Sequence, residues 1–214
     1  MRSKHPWAFY FITDSNLTKQ GFRKDSEDAI RGGARVMQYR EKNKPLHDMA
    51  AEAKALMGLC KGSGIDLIIN DSPGLARAVG ASGVHIGPGD VPLSAAREVL
   101  PGGIIGVSCG TVQEVKRAEI GGADYIAASP VFFTSTKRDI GRPVGLEGLA
   151  MFREATDLPI VAIGGINLGN VREVVLAGAD SVCAISATVG TPDVAASVRE
   201  FEGRIKAALK ERGR

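Results

Sequence analysis

Short apolar runs recur along the chain, and a longer segment of helical period follows each. The runs are Phe9–Thr13, Ala34–Tyr39, Asp66–Ile69, Gly83–Ile86, Gly103–Val107, Ala123–Ala127, Pro159–Ile163 and Ala179–Ile185. Most are rich in Val and Ile and show no polar alternation, the pattern of parallel strands buried on both faces. Between them, Leu46–Leu59 sets Leu46, Met49, Ala50, Ala53, Leu56 and Met57 on one helical face, and Val112–Ile120 and Asn170–Leu176 repeat that period. Asp193–Arg212 is charged on one side and ends in basic residues, as suits a helix C-terminus. Strand then helix, eight times over, predicts an α/β protein built as one (β/α)8 TIM barrel, with a doubly wound open sheet as runner-up. Gly-Ala recurs at 33–34, 80–81, 122–123 and 178–179, each time just before an even-numbered strand. That repeat of two strand–helix units, four times, favours closure. No linker or low-complexity stretch interrupts the chain, so residues 1–214 are expected to form a single domain.

Composition adds exclusions. Hydrophobic residues make up 44% and charged residues 24%, an ordinary globular balance, and a net charge of +3 is too small to argue for nucleic acid or a membrane. The N-terminal apolar run from Trp7 to Ile12 is far shorter than a membrane span, and no cleavage site follows it. Cys60, Cys109 and Cys183 are odd in number and widely spaced, which predicts free thiols and a cytoplasmic protein. The oligomeric state is not legible, and a homo-oligomer stays open.

In such a barrel the chemistry sits at the C-terminal strand ends. Those positions hold Gln38-Tyr39-Arg40-Glu41-Lys42, Asn70-Asp71, Gly87-Pro88-Gly89-Asp90, Ser108, Gly164-Gly165 and Ile185-Ser186. Thr134-Ser135-Thr136-Lys137 lies on a loop after the sixth strand, which runs without periodicity from about Ser129 to Pro143 and has the length of a lid. Arg40, Lys42 and Lys137 alone suit a phosphate. Joined by Asp71 and Asp90 from adjacent strands, they suit a diphosphate held through Mg²⁺, an ion that takes few protein carboxylates and completes its shell with water and phosphate oxygens. Gly164-Gly165 and Ile185-Ser186 follow the seventh and eighth strands, where this fold commonly binds a phosphate through backbone amides. Two anion sites are therefore expected. His85 reads as a barrel-filling residue rather than a base, and His5 and His47 as surface residues. Cys109 has no paired base, and Trp7 and Phe132-Phe133 are equally readable as core or as substrate walls.

The pattern resembles thiamine phosphate synthase along almost the full length. The stretches that carry the resemblance are YFITD (Tyr10–Asp14), MQYREK (Met37–Lys42), IIND (Ile68–Asp71), VHIGPGD (Val84–Asp90), IGVS (Ile105–Ser108), ADYI (Ala123–Ile126), PVFFTSTK (Pro130–Lys137), IGGI (Ile163–Ile166) and ISA (Ile185–Ala187). The resemblance implies a transferase that joins an aminopyrimidine diphosphate to a thiazole phosphate and releases pyrophosphate. It implies a pyrimidine side formed by Gln38, Tyr39, Arg40, Glu41, Lys42, Asn70, Ser108 and Lys137, of which Arg40, Lys42, Ser108 and Lys137 carry catalysis. It further implies Mg²⁺ on Asp71 and Asp90, and a thiazole phosphate side formed by Thr134, Ser135, Thr136, Gly165, Ile185 and Ser186. The chain departs from the family pattern at Gly110, where a His is common, at Ser129, where a Gly precedes the proline, and at Phe133, where a Pro is common. Two other functions fit less well: a thiazole tautomerase on the same barrel, and a non-catalytic binder of thiamine precursors. Neither needs a diphosphate–metal site.

Overall fold

The computed structural model describes residues 7–134 and 142–213. Its strands are β1 (Tyr10–Ile12), β2 (Val36–Tyr39), β3 (Asp66–Asn70), β4 (Gly83–Ile86), β5 (Ile104–Cys109), β6 (Tyr125–Ala128), β7 (Ile160–Ile163) and β8 (Ser181–Cys183). The helices are α1 (Phe22–Gly32), α2 (Leu46–Ser63), α3 (Pro73–Val79), α4 (Leu93–Val99), α5 (Val112–Ile120), α6 (Gly145–Ala155), α7 (Val171–Leu176) and α8 (Val194–Glu211). Neighbouring strands pair in parallel in chain order, and a Phe9–Val182 bridge joins the last strand to the first. The sheet is thus a closed (β/α)8 barrel, not the open sheet. Among the described residues no helix is long and apolar enough to cross a membrane.

Strand periodicity sorts the core into two shells. Tyr10, Ile12, Val36, Ile68, Ile104, Tyr125, Val161 and Cys183 fill the barrel, whereas Phe9, Phe11, Met37, Tyr39, Leu67, Ile69, Val84 and Ile126 pack outward against the helices. Trp7 plugs the N-terminal end. Its indole donates to Asp66 Oδ2 at 3.0 Å and meets Tyr10 and Tyr125 edge-on at 5.8 and 5.6 Å, so it is core and lines no substrate wall.

The Gly-Ala repeat has a physical basis. Gly33, Gly80, Gly122 and Gly178 all have positive φ, and the alanine after each donates to the carbonyl five residues back: Ala34 to Ala29, Ala81 to Ala76, Ala123 to Ala118 and Ala179 to Val174. This is the Schellman closure that turns a helix directly into the next strand. In three of the repeats the residue after the alanine then ties down the preceding odd strand. Ser82 accepts from the Leu67 amide at 3.2 Å, Asp124 from Ile105 at 2.8 Å and Asp180 from Ile160 at 3.0 Å. Arg97 pairs with Asp124, and Arg153 and Arg212 with Asp180. These hydrogen bonds and ion pairs gather at the N-terminal face, opposite the strand ends where chemistry sits in this fold.

Element ends differ from the apolar pattern where backbone groups are committed elsewhere. The eighth strand stops at Cys183 because the Ala184 and Ile185 carbonyls accept from Thr188 and Val189 in a turn. Helix α2 runs past Leu59 to Ser63, since its polar last turn faces solvent until Gly64 adopts a left-handed conformation.

Candidate active site

The C-terminal strand ends surround an open cavity of about 870 Å³, solvent at its mouth included. Gln38 from β2 and Arg40 just beyond it, Asn70 from β3, His85 from β4, Ser108 from β5, Thr134, Gly164 and Gly165, and Ile185 and Ser186 all line it. Members of both sets expected from the sequence thus share one chamber, whereas Lys42, Asp71 and Asp90 are not among the residues that line it. Ile12, Ala127, Val161 and Ile163 give it apolar walls.

Alternation along β2 decides which members of Gln38–Lys42 face inward. Gln38 and Arg40 point into the chamber, while Tyr39 turns outward and donates to Glu52 Oε2 of α2 at 2.7 Å. Burial raises the Tyr39 pKa, and Glu52 raises it further, so the phenol stays protonated. Glu41 is likewise set apart from the chamber. Its Oε1 accepts from the amides of Lys42 at 2.7 Å and Asn43 at 2.9 Å and shapes the loop after β2. Burial works against ionisation there, but the Asn43 amide, Ser15 and the Lys42 amide hold the carboxyl below its usual range. These positions suit structural duties better than the substrate contact expected of both.

Arg40 is aimed by a residue that the spacing did not single out. Asp14, 4% exposed, faces it with Oδ2 at 3.3 Å, while Asp14 Oδ1 accepts from the Asn16 and Leu17 amides at 3.0 and 3.2 Å. The loop after β1 thereby fixes the guanidinium.

Lys42, Asp71 and Asp90 form a cluster at the rim. Lys42 Nζ pairs with Asp71 Oδ2, and Asp90 Oδ2 accepts from the Gly87 amide at 2.7 Å. Burial raises the Asp90 pKa; the Gly87 amide opposes this, and the Asp71 carboxylate within hydrogen-bonding reach raises it further. Asp71 is the only non-glycine residue among those described with positive φ, at 63°. A sparsely populated backbone conformation held beside a second carboxylate makes Asp71 a candidate functional position. No cluster of three or more His, Cys, Asp or Glu suited to a metal occurs among the described residues.

Across the chamber, Gly164 and Gly165 have φ of 107° and 65°. A side chain at Gly165 would lie 2.6 Å from the Phe133 carbonyl oxygen and 2.7 Å from Phe132 Cβ. The base of the loop after β6 is laced to this turn, with Val131 donating to Ile163 at 2.8 Å and Phe132 to Gly164 at 3.0 Å. Helix α7 begins only at Val171, so no helix end stands behind Gly165. At Ile185 a single helical turn does form, with Val189 donating to the Ile185 carbonyl at 2.9 Å. The first amides of such a turn have no acceptor within it. Phe132 packs partly against the outer core, and Phe133 is 88% exposed. Ser135, Thr136 and Lys137 lie outside the described residues.

The floor is polar; the sequence points to Gln38 and Ser108 as site residues and reads His85 as a filler, but does not join them through Tyr10 and Tyr125. His85 contacts Tyr125 Oη through Nδ1 at 3.0 Å and Ser108 Oγ through Nε2 at 2.9 Å, and its ring stacks on Tyr125. Tyr125 meets Tyr10, which meets Gln38. A glycine inside β5 was the available signal, because a Cβ at Gly106 would sit 2.0 Å from Tyr125 Cζ. Cys109 lies outside this floor, its thiol pushed up to about 12 by burial, unsuited to a nucleophile.

Comparison with known proteins agrees with this architecture. The family described as thiamine monophosphate synthase matches residues 9–188. The chain is 42% identical to the thiamine-phosphate synthase of Chloroflexus aurantiacus, over 93% of each chain. It is 46% identical to that of Moorella thermoacetica, over 91% of this chain and 94% of the relative. Among solved structures, thiamine phosphate pyrophosphorylase from Pyrococcus furiosus superposes with a TM-score of 0.89 at 37% identity, covering 95% of this chain and 98% of that one. A 3-hexulose-6-phosphate synthase, at 15% identity and TM-score 0.69, shares the barrel alone. With most of its length matched by the family and by relatives above 40% identity, the chain belongs to the thiamine monophosphate synthase family.

Proposed function

We propose that this chain condenses 4-amino-2-methyl-5-(diphosphooxymethyl)pyrimidine with 4-methyl-5-(2-phosphooxyethyl)thiazole, or its carboxylated form with loss of the carboxyl group as carbon dioxide, to give thiamine phosphate and pyrophosphate. The observation that carries this reading is one chamber with two unlike ends. Arg40 lies on one side, beside the Lys42, Asp71 and Asp90 rim, and the Gly165 and Ser186 backbone lies on the other.

Asp71 and Asp90 suit Mg²⁺. Two carboxylates are drawn together against their mutual repulsion, with one ammonium to offset them, and a hard divalent ion needs few protein oxygens when substrate phosphates supply the rest. Bound there, it would neutralise a diphosphate and make it a better leaving group.

The remaining work falls to the chain itself. Arg40, held by Asp14, meets the diphosphate; Lys42 and Lys137 add charge where negative charge grows as the C–O bond to the pyrimidine methylene breaks. The ring amine stabilises the resulting cation. Backbone at Gly165, Ile185 and Ser186, with Thr134 and Thr136, grips the thiazole phosphate and holds the ring nitrogen in line with the methylene carbon. That nitrogen carries no proton, so the step needs no general base, in keeping with His85 being engaged at both ring nitrogens. The apolar walls and the loop after β6 keep water from trapping the cation.

Pyrophosphate release tests the reading. It is expected only when both substrates and Mg²⁺ are present. Turnover of the thiazole alone, with no diphosphate consumed, would indicate the tautomerase instead. Tight binding of precursors with no pyrophosphate under any combination would indicate a binding protein.

A further inference from the structure

Five side chains from five strands form one hydrogen-bonded line across the floor, and hydrogen counting gives that line a direction. Gln38 Nε2 donates to Tyr10 Oη at 3.1 Å, since an amide nitrogen has no acceptor capacity. Tyr10 Oη and Tyr125 Oη are 2.8 Å apart, Tyr125 Oη and His85 Nδ1 3.0 Å, and His85 Nε2 and Ser108 Oγ 2.9 Å. Burial raises both phenols, and Tyr10 raises Tyr125 further, so each keeps its single hydrogen. Tyr10 accepts from Gln38, and the one partner in the line that can take its hydrogen is Tyr125. With that hydrogen so placed, Tyr125 has its own for His85 Nδ1. A ring nitrogen that accepts carries no hydrogen, so the imidazole N–H is on Nε2 and goes to Ser108. Ser108, which lines the chamber, is left with its O–H for the substrate. Reversing the Gln38 amide would reverse every link and leave Ser108 facing the substrate as an acceptor.

We propose that Gln38, acting through Tyr10, Tyr125 and His85 as positioning residues, fixes Ser108 as a hydrogen-bond donor, so that the pyrimidine substrate must present it an acceptor atom. The identity of that substrate rests on the function proposed above; the direction of the chain does not. The fold supports the idea that the line is built rather than incidental, because Gly106 leaves room for the Tyr125 ring and Trp7 braces it from below.

The test uses the full chain with ¹⁵N-labelled histidine, in which His85 is one of three histidines and is assigned by its loss in His85→Gln. Long-range ¹H–¹⁵N spectra of the wild type are expected to show a protonated Nε2 and a bare Nδ1. A protonated Nδ1 overturns the proposal without reference to turnover. Tyr125→Phe keeps the ring and removes one link; it is expected to mix the His85 tautomers and to lower kcat at least ~10-fold with KM within ~3-fold, the size of one misdirected hydrogen bond. Should that variant not fold, Tyr10→Phe breaks the line one step earlier and carries the same expectation. Unchanged kcat with an unchanged tautomer in a folded variant overturns the proposal. Inhibition by inorganic pyrophosphate separates the acceptors: it weakens in Tyr125→Phe if Ser108 donates to a diphosphate oxygen and holds if it donates to a ring nitrogen.

Discussion

Gly106→Ala probes the site from beneath. Gly106 has no positive φ, so alanine meets no backbone strain, and the whole effect is steric. The new Cβ would fall 2.0 Å from Tyr125 Cζ and 2.4 Å from Cε1 and Cε2, whereas ordinary contact begins at 3.4 Å. The ring would have to move by ~1.4 Å to restore that contact. It has nowhere to go. Tyr125 is 1% exposed, with Trp7 edge-on at 5.6 Å and His85 stacked at 5.6 Å. Overpacking of this kind costs roughly 1–3 kcal/mol, and displacing Tyr125 breaks two hydrogen bonds worth about 1 kcal/mol each. The expected loss is therefore about 3–5 kcal/mol, which for a chain of this size lowers Tm by roughly 10 °C. Thermal unfolding by circular dichroism at fixed concentration measures it, and turnover in the cold should fall with the disordered floor. Adding Tyr125→Leu to Gly106→Ala should recover part of the stability but not turnover. A Tm within ~2 °C of wild type with normal turnover would refute the packing argument.

Three further substitutions divide the chamber. Gly165→Val is expected to raise the thiazole phosphate KM at least ~10-fold, because it strains a left-handed residue and drives against Phe132 and Phe133; pyrimidine diphosphate KM should stay within ~3-fold, and equal effects would mean that the two ends are not separate. Asp14→Asn keeps an oxygen for the Asn16 and Leu17 amides and removes the charge that aims Arg40, so pyrimidine diphosphate KM should rise ~10-fold with stability nearly held; an unchanged KM would detach Asp14 from the site. Lys137→Ala should fold normally and bind both substrates, yet turn over at least ~100-fold more slowly, and near-normal kcat would reduce its loop to a cover.

Much of this was legible in the sequence because local rules and the fold agree. Buried parallel strands read as unbroken apolar runs, and the Gly-Ala repeat marks the Schellman closures before β2, β4, β6 and β8. The charged set at the strand ends followed from barrel geometry alone. Tyr39 lies within the MQYREK stretch that carries the resemblance, but Gln38 and Arg40 face the chamber, so strand period requires Tyr39 to face the helices. The resemblance places Glu41 on the pyrimidine side, but its Oε1 accepts here from backbone amides, which sequence does not display. The floor is a different kind of omission. Tyr10 and Tyr125 are 115 residues apart and meet only because the barrel closes, and Gly106 inside β5 is the one local sign of the room they need. Trp7 remained ambiguous for the same reason until Asp66 and the two tyrosines surrounded it.

The central claim is that one chamber couples diphosphate departure to capture by a thiazole nitrogen. Quantifying both products by mass spectrometry in a single reaction tests it most directly. With both substrates and Mg²⁺, thiamine phosphate and pyrophosphate should appear in equal amounts, and excess chelator should stop both together. Pyrophosphate released without thiamine phosphate, or product formation indifferent to the chelator, would contradict the account.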